Sequence, residues 1–184
     1  ESCKKISYLF PRAHAVAYVM MAFRIAWFKV YHPLAFYAAY FSIRAKAFDL
    51  RIMTGDLNTQ LKEFNRIKAL DRGASPKEKD LMSALEVSME MYQRGYRFIN
   101  VDIQHSGARR FSIKDGALLP PFLAIDSLGE TVADAIVEER EAKPFTSLKD
   151  LQRRCKVSAT IIETMKELKC CGDLPEDEQM SLFG

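Results

Sequence analysis

The sequence predicts a mainly α-helical fold with a small β element. Of its 184 residues, 48% are hydrophobic, which is enough to form a substantial core and excludes a disordered chain. Up to Gly95 the pattern has few breaks and apolar residues recur at helical spacing, whereas short strand-like runs and glycine turns follow it. We therefore expect one or two domains, with a boundary near Gly95.

Three helical regions are predicted before that boundary. Residues 6–48 form two long helices that break near His32 and Pro33, because proline lacks a backbone donor and restricts the residue before it. A polar helix is expected over residues 57–70. The next helix covers residues 76–94, with a serine cap before it and a proline at its first position.

The region after the boundary combines short strands with a helix-hairpin-helix. Strands are predicted over residues 98–103 and 110–113, followed by a tight turn at residues 115–116. A short helix, a turn at residues 127–129 and a helix that starts at Glu130 then complete the hairpin.

A turn of this kind can hold a phosphate without a lysine. Its glycine lets successive N–H groups converge, and the positive end of the following helix attracts the anion. Such a contact recognises the DNA backbone and not the base sequence. The candidate DNA-binding residues are Ser127, Leu128, Gly129, Glu130 and Thr131. The usual hairpin has two glycines, and here Asp126 or Ser127 stands at the first position.

A second, degenerate hairpin is predicted between Phe145 and Gly172. For each copy the alternative is a helical pair with a purely structural role, which the acidic composition favours for the second copy. Residues 115–184 carry 8 of the 27 basic and 14 of the 24 acidic residues, which leaves 19 and 10 for residues 1–114. The basic part is the candidate polyanion contact, and we expect the acidic part to touch DNA through backbone groups.

Composition limits other kinds of site. The cysteines at positions 3, 155, 170 and 171 lack zinc-site spacing, and they predict a reduced, cytoplasmic protein. We expect no signal peptide, because no charged start is followed by an apolar run and a small-residue cleavage site. We expect no membrane partner, because the uncharged run at residues 13–23 is about half of the roughly 20 residues that a span needs. Neither a nucleophile arrangement nor a carboxylate cluster is evident, so we predict no catalytic residue, metal site or cofactor in this chain.

The end of the chain is an acidic spacer followed by an apolar tip. A tail that ends in Leu-Phe exposes apolar area without benefit to folding, which indicates a pocket on another protein. The candidate contacts are Gln179, Met180, Ser181, Leu182 and Phe183.

Three motifs resemble one family. Phe-Pro-Arg-Ala-His at residues 10–14, and Trp-Phe-Lys-Val-Tyr-His-Pro at residues 27–33, resemble the fingers of the C-family bacterial replicative DNA polymerases. The motif at residues 10–14 is similar to that of the PolC type, the DNA polymerase III alpha subunit of low-GC Gram-positive bacteria. Gln179, followed after two residues by Leu-Phe, resembles the sliding-clamp-binding pentapeptide at the end of those polymerases.

The resemblance covers nearly the whole chain and implies a domain organisation. Residues 1–95 would be the C-terminal part of the fingers domain. Residues 96–175 would be a duplex-binding domain with the helix-hairpin-helix, and residues 176–184 a clamp-binding tail. The fold is then a helical fingers portion followed by a helix-hairpin-helix duplex-binding domain.

The resemblance also implies roles for three cations. Arg12, His14 and Lys29 would face the incoming nucleotide or the template backbone. They lie on or beside the almost entirely apolar segment 13–43, which we interpret as a mostly buried element whose cations need an anion.

The catalytic aspartates of the family lie upstream of these motifs. We therefore expect a C-terminal fragment without polymerase activity of its own, from a parent that extends a DNA primer with dNTPs and Mg²⁺. Its implied partners are duplex (primer-template) DNA, the bacterial sliding clamp and the remaining polymerase domains.

Two other functions remain open at this point. One is a stand-alone helix-hairpin-helix DNA-binding adaptor with a clamp motif, and the other is a module whose helices bind only proteins. In an adaptor, residues 6–43 would belong to a self-sufficient core. In a polymerase fragment they should leave apolar surface exposed.

Overall fold

A computed structural model describes residues 12–177, with side chains from His14 onward. The fold is mainly α with a small antiparallel hairpin, as predicted. The helices are α1 (Arg12–Tyr31), α2 (Pro33–Ala39), α3 (Leu50–Met53), α4 (Leu57–Ala69), α5 (Pro76–Gln93), α6 (Glu130–Ala142), α7 (Leu148–Cys155) and α8 (Ala159–Glu167). The strands are β1 (Ser112–Lys114) and β2 (Ala117–Leu119).

The predicted break between the first two helices is confirmed at His32. Its backbone leaves the helical region, with φ −134° and ψ 56°, because Pro33 follows and starts α2. The second long helix, predicted to reach residue 48, is wrong. After α2 the chain forms a π-helix over Tyr40–Arg44 and then becomes extended, so that Asp49 can cap α3 by accepting a hydrogen bond from Ile52.

Helices α4 and α5 pack against each other and lie where the sequence predicts them. Asp56 caps α4, and Ser75 and Glu78 form a reciprocal capping box at the start of α5. Between the helices, the buried Ser88 hydroxyl donates to Gln60 Oε1 at 2.6 Å. This bond satisfies two polar groups that burial would otherwise penalise.

The β-hairpin turns at Asp115 and Gly116, as predicted. Their φ values of 51° and 74° are those of the two-residue turn that Asp-Gly favours. β1 begins two residues later than the predicted strand, and β2, whose three residues are all buried, was not predicted.

The strand predicted over residues 98–103 is wrong. Phe98 forms one parallel bridge with Leu118, and the chain then leaves the sheet. Two side chains explain the departure, because Asn100 accepts from the N–H of Val101 at 2.9 Å and Asp102 from that of Gln104 at 2.7 Å. Such local bonds compete with strand pairing.

Two clusters of buried side chains form the interior. The N-terminal core consists of Tyr37, Phe41, Met53, Ile67, Ala74, Ala84, Leu85, Met91, Phe98 and Leu118. The C-terminal core consists of Leu50, Val101, Ile103, Phe122, Ile125, Leu128, Ala133, Ile136, Phe145, Leu148, Leu151, Cys155, Val157, Ile162, Met165, Cys170 and Cys171. Leu50 lies in the C-terminal core, whereas Phe98 and Leu118, which follow Gly95, lie in the N-terminal core. The predicted domain boundaries remain a prediction.

Candidate nucleic-acid interface

The turn at residues 127–129 places the predicted hairpin residues at the surface. Ser127 has a φ of 65°, a left-handed conformation that favours glycine, so Ser127 and not Asp126 occupies the first glycine position. Leu128 is buried in the C-terminal core, and its N–H donates to the Ile125 carbonyl at 3.2 Å. Leu128 therefore anchors the turn, while Ser127 and Gly129 stay exposed.

The element before this turn is shorter than predicted. It is a single 3₁₀ turn, Phe122–Ala124, and not an α-helix. Pro120 and Pro121 precede it, and proline disfavours helical backbone in the residue before it.

The first turn of α6 presents N–H groups that no side chain caps. Gly129, with φ −76° and ψ 158°, leads into the helix without a side-chain cap. The intrahelical bonds begin with Val132 and Ala133, which donate to the Gly129 carbonyl at 3.1 and 3.0 Å. The N–H groups of Glu130 and Thr131 therefore have no acceptor within the helix.

Most of the other described helices supply their own acceptor at this position. A serine or aspartate side chain accepts a hydrogen bond from the first turn of α3, α4, α5, α7 and α8. At α6 an anion can take that place, and the helix dipole favours a negative charge there.

Acidic side chains next to this helix end are bound by one arginine. Arg109 donates from Nη1 to Glu130 at 2.5 Å, and from Nε to Asp134 Oδ1 at 3.0 Å, with Nη2 bonded to the second oxygen of Asp134. The hydrogen bonds from Arg109 hold the pKa of Asp134 below its usual value. No local sequence pattern indicates this role of Arg109, because it lies 21 and 25 residues from these partners.

A second hairpin repeats the backbone pattern of the first. Lys156 has a φ of 53°, Val157 is buried, and Ser158 leads into α8 with φ −68° and ψ 153°. The order of left-handed residue, buried apolar residue and cap residue matches residues 127–129. The second helix end is already capped, however, because the Ser158 hydroxyl accepts from the N–H of Ile161 at 3.3 Å.

The described side chains of helix α1 are all exposed except that of Lys29, which is half-buried. Its exposed large apolar side chains are Val16, Tyr18, Val19, Met20, Met21, Phe23, Ile25, Trp27, Phe28, Val30 and Tyr31. The interpretation of residues 13–43 as mostly buried is therefore wrong over α1, since no described side chain of this helix belongs to either core. Farther along the same segment, Tyr37 and Phe41 are buried. A helix that is apolar all round needs a partner around it.

The C-terminal end of α1 is tied to α5. Lys29 Nζ lies 2.7 Å from Glu90 Oε2 and 5.2 Å from the centre of the Phe36 ring. Arg94 donates to the Lys29 carbonyl at 3.2 Å. Lys29 thus has an anionic partner within the chain.

Known proteins resemble this chain both in its C-terminal region and over its whole length. Residues 95–180 match the family described as Helix-hairpin-helix motif. The full chain is 50% identical over 183 residues to the DNA polymerase III PolC-type of Caldanaerobacter subterraneus subsp. tengcongensis. It is 47% identical over 185 residues to that of Streptococcus pyogenes serotype M12. The chain is homologous to a segment of PolC-type DNA polymerase III.

The PolC homology confirms the predicted resemblance. It covers 100% of this chain and 13% of the length of each of these two relatives. It extends over α1 as well as the hairpins, so the apolar helix and the predicted DNA contacts belong to one homologous segment.

The predicted nucleotide contacts of this PolC-like segment do not form a single site on α1. His14 and Lys29 both lie on α1, about 22 Å apart at a rise of 1.5 Å per residue, so they cannot contact the same phosphate group. Their nucleotide role stays a prediction. The side chain of Arg12 lies outside the described part of the chain, as does the predicted clamp-binding set Gln179, Met180, Ser181, Leu182 and Phe183.

Other chemistry is limited within residues 12–177. In this range no group of three His, Cys, Asp or Glu side chains is placed to hold a metal ion. None of the described helices has the length and apolarity that crossing a membrane requires. Burial raises the pKa of Cys155 to about 11, so this thiol stays protonated at neutral pH and is a poor nucleophile.

Proposed function

We propose that this chain is part of a PolC-type replicative DNA polymerase, in which it binds duplex DNA independently of the base sequence. The observation that carries the proposal is the uncapped start of α6, directly after the turn at residues 127–129, in a segment that matches the helix-hairpin-helix family. A phosphate oxygen would accept hydrogen bonds from the backbone N–H groups of Glu130 and Thr131. Because such contacts ignore base identity, they suit a polymerase that must hold any sequence.

The parent protein would be a DNA-directed DNA polymerase. It would use dNTPs and Mg²⁺ in domains outside this chain, in the cytoplasm. The remaining polymerase domains would cover α1, and Arg12, His14 and Lys29 would face the nucleotide or template once those domains are in place. For Lys29 this requires exchange of Glu90 for a phosphate.

The exposed surface of α1 favours this role over that of a stand-alone adaptor. An adaptor has to bury its apolar helices in its own core, whereas α1 contributes no described side chain to either core. Homology to PolC over the full chain favours the same choice.

Two substitutions at Glu130 test the backbone contact. Glu130→Ala and Glu130→Pro both remove the carboxylate, but only the proline removes the N–H. We expect Glu130→Pro to bind duplex DNA about tenfold more weakly than Glu130→Ala, because one charge-assisted hydrogen bond is lost. The slope of log affinity against log salt should not change, since no cation is removed. Fluorescence anisotropy with a labelled duplex at several salt concentrations measures both quantities.

The proline is compatible with the start of α6. Gly129 has the extended backbone that a residue before proline adopts, and α5 already begins with Pro76 after an extended Ser75. Ala159→Pro is the matched control at the start of α8, where Ser158 already caps the helix. Equal affinities of Glu130→Ala and Glu130→Pro for DNA would contradict the proposed contact.

We also propose that the tail binds the bacterial sliding clamp. Leu182 and Phe183 would enter an apolar pocket and Gln179 would bond at its rim, with Met180 and Ser181 between them. We expect the full chain to bind a purified clamp weakly, with a Kd of about 1 µM, which corresponds to about −8 kcal/mol. Burial of the two anchors would supply a few kcal/mol of this binding energy. A chain that ends at Glu178 should not bind. Surface plasmon resonance measures both.

Substitutions within the tail separate its anchors from its spacer. Leu182→Ala with Phe183→Ala should abolish clamp binding, and Ser181→Ala should leave it nearly unchanged. Equal binding of the full and shortened chains would show that the motif is a coincidence.

A further inference from the structure

Arg109 is fixed beside the first hairpin by its backbone. The carbonyl of Gly107 accepts from the N–H of Phe122 at 2.9 Å, and that of Ala108 accepts from the N–H of Leu123 at 3.0 Å. These bonds join the loop before β1 to the 3₁₀ turn that leads into residues 127–129. The loop therefore keeps its position whatever side chain stands at residue 109.

The guanidinium of Arg109 is oriented by two carboxylates and not saturated by them. Three of its five N–H groups donate to Glu130 and Asp134. One N–H remains on each terminal nitrogen, and the side chain is half exposed. Planar N–H pairs of this kind match the oxygens of a phosphate.

The two carboxylates at the start of α6 would repel a phosphate unless a cation neutralised them. Glu130 and Asp134 are one turn apart, so without Arg109 a phosphate at the start of α6 would meet two carboxylates. Arg109 pairs with both. Exposed ion pairs of this type add little to folding stability, so stability alone does not account for the arrangement.

We infer that Arg109 is a phosphate-binding side chain of the first hairpin, held in position by Glu130 and Asp134. The inference rests on the proposed DNA binding and extends it. Backbone N–H groups of α6 and the guanidinium of Arg109 would contact the same phosphate or two successive ones. The guanidinium of Arg109 is thereby added to a phosphate contact for which the sequence predicts backbone N–H groups alone.

Salt dependence distinguishes this cation from the backbone donors. Arg109→Ala should weaken duplex binding about tenfold and reduce the slope of log affinity against log salt by about 1, whatever the DNA sequence. Arg109→Lys keeps the charge without the planar fork, so it should retain the slope and recover part of the affinity. Arg110→Ala is the matched control, because it removes the same charge from the next, exposed position.

Removal of the two carboxylates completes the test. The variant Glu130→Ala with Asp134→Ala leaves Arg109 in place and should bind at least as tightly as the original chain, with an unchanged slope. An Arg109→Ala affinity and slope equal to those of the original chain, or to those of Arg110→Ala, would overturn the inference. If Glu130→Pro weakens binding in the same assay, the proposed hairpin contact survives that outcome. If the original chain binds no duplex, both fail.

Discussion

Deletion of residues 1–31 is expected to convert a self-associating chain into a monomer. These residues include α1, whose apolar side chains are exposed around the whole helix, with Phe23 72% exposed. Exposed apolar surface of this extent is typical of an interface whose partner is missing. We expect the full chain to elute as oligomers and to bind an apolar dye, and the chain 32–184 to do neither. Size-exclusion chromatography with light scattering measures the mass.

The deletion should leave the rest of the fold in place. Both cores lie outside α1, and α2 keeps Pro33 at its start. Removal of α1 breaks the ion pair of Lys29 with Glu90 and the hydrogen bond from Arg94 to the Lys29 carbonyl, and neither of these belongs to a core.

A second variant tests the surface without a deletion. Val16→Lys, Met20→Lys and Phe23→Lys place charges along one side of α1 and should reduce both mass and dye binding. A full chain that is already monomeric and binds no dye would contradict the role of α1 as an unpartnered interface, and it would favour the adaptor.

Local signals account for the elements that the sequence predicted well. The start of α5 follows from Ser75, Pro76 and Glu78, and the β-turn follows from Asp115 and Gly116, because each signal acts within a few residues. The start of α6 after Gly129 is of the same kind.

Other features depend on contacts that a linear pattern does not show. β2 forms where the buried Leu118 pairs with both β1 and Phe98. Residues 99–103 form no strand, because the side chains of Asn100 and Asp102 accept hydrogen bonds from nearby backbone N–H groups. The choice between Asp126 and Ser127 at the hairpin needed a backbone torsion angle.

The candidate site shows the same division. The sequence indicated the backbone donors of the hairpin, which are consecutive residues. It could not indicate Arg109, which reaches α6 through the fold of a distant loop. It also could not show that Lys29 is paired with Glu90, because that pair joins two helices.

Phe98→Ala is expected to destabilise the N-terminal core by about 3–5 kcal/mol, the usual range for loss of a buried phenylalanine. Phe98 is 3% exposed, and its ring centre lies 4.9 Å from that of Phe41 and 5.2 Å from that of Phe48. The loss is a large part of the stability of a domain of this size. Urea unfolding of the chain 32–184 measures it. Leu61→Ala, at an exposed position of α4, should stay within about 0.5 kcal/mol.

The residues of the chain 32–184 provide a separate probe for each core. Its tyrosines, at positions 37, 40, 92 and 96, all lie in or against the N-terminal core, and its three cysteines lie in the C-terminal core. Because Leu50 and Leu118 each connect one part of the chain to the other core, we expect tyrosine fluorescence and thiol labelling to show the same transition. In Phe98→Ala both transitions should then shift together. A shift of the tyrosine signal alone would mean that the two cores unfold independently of each other.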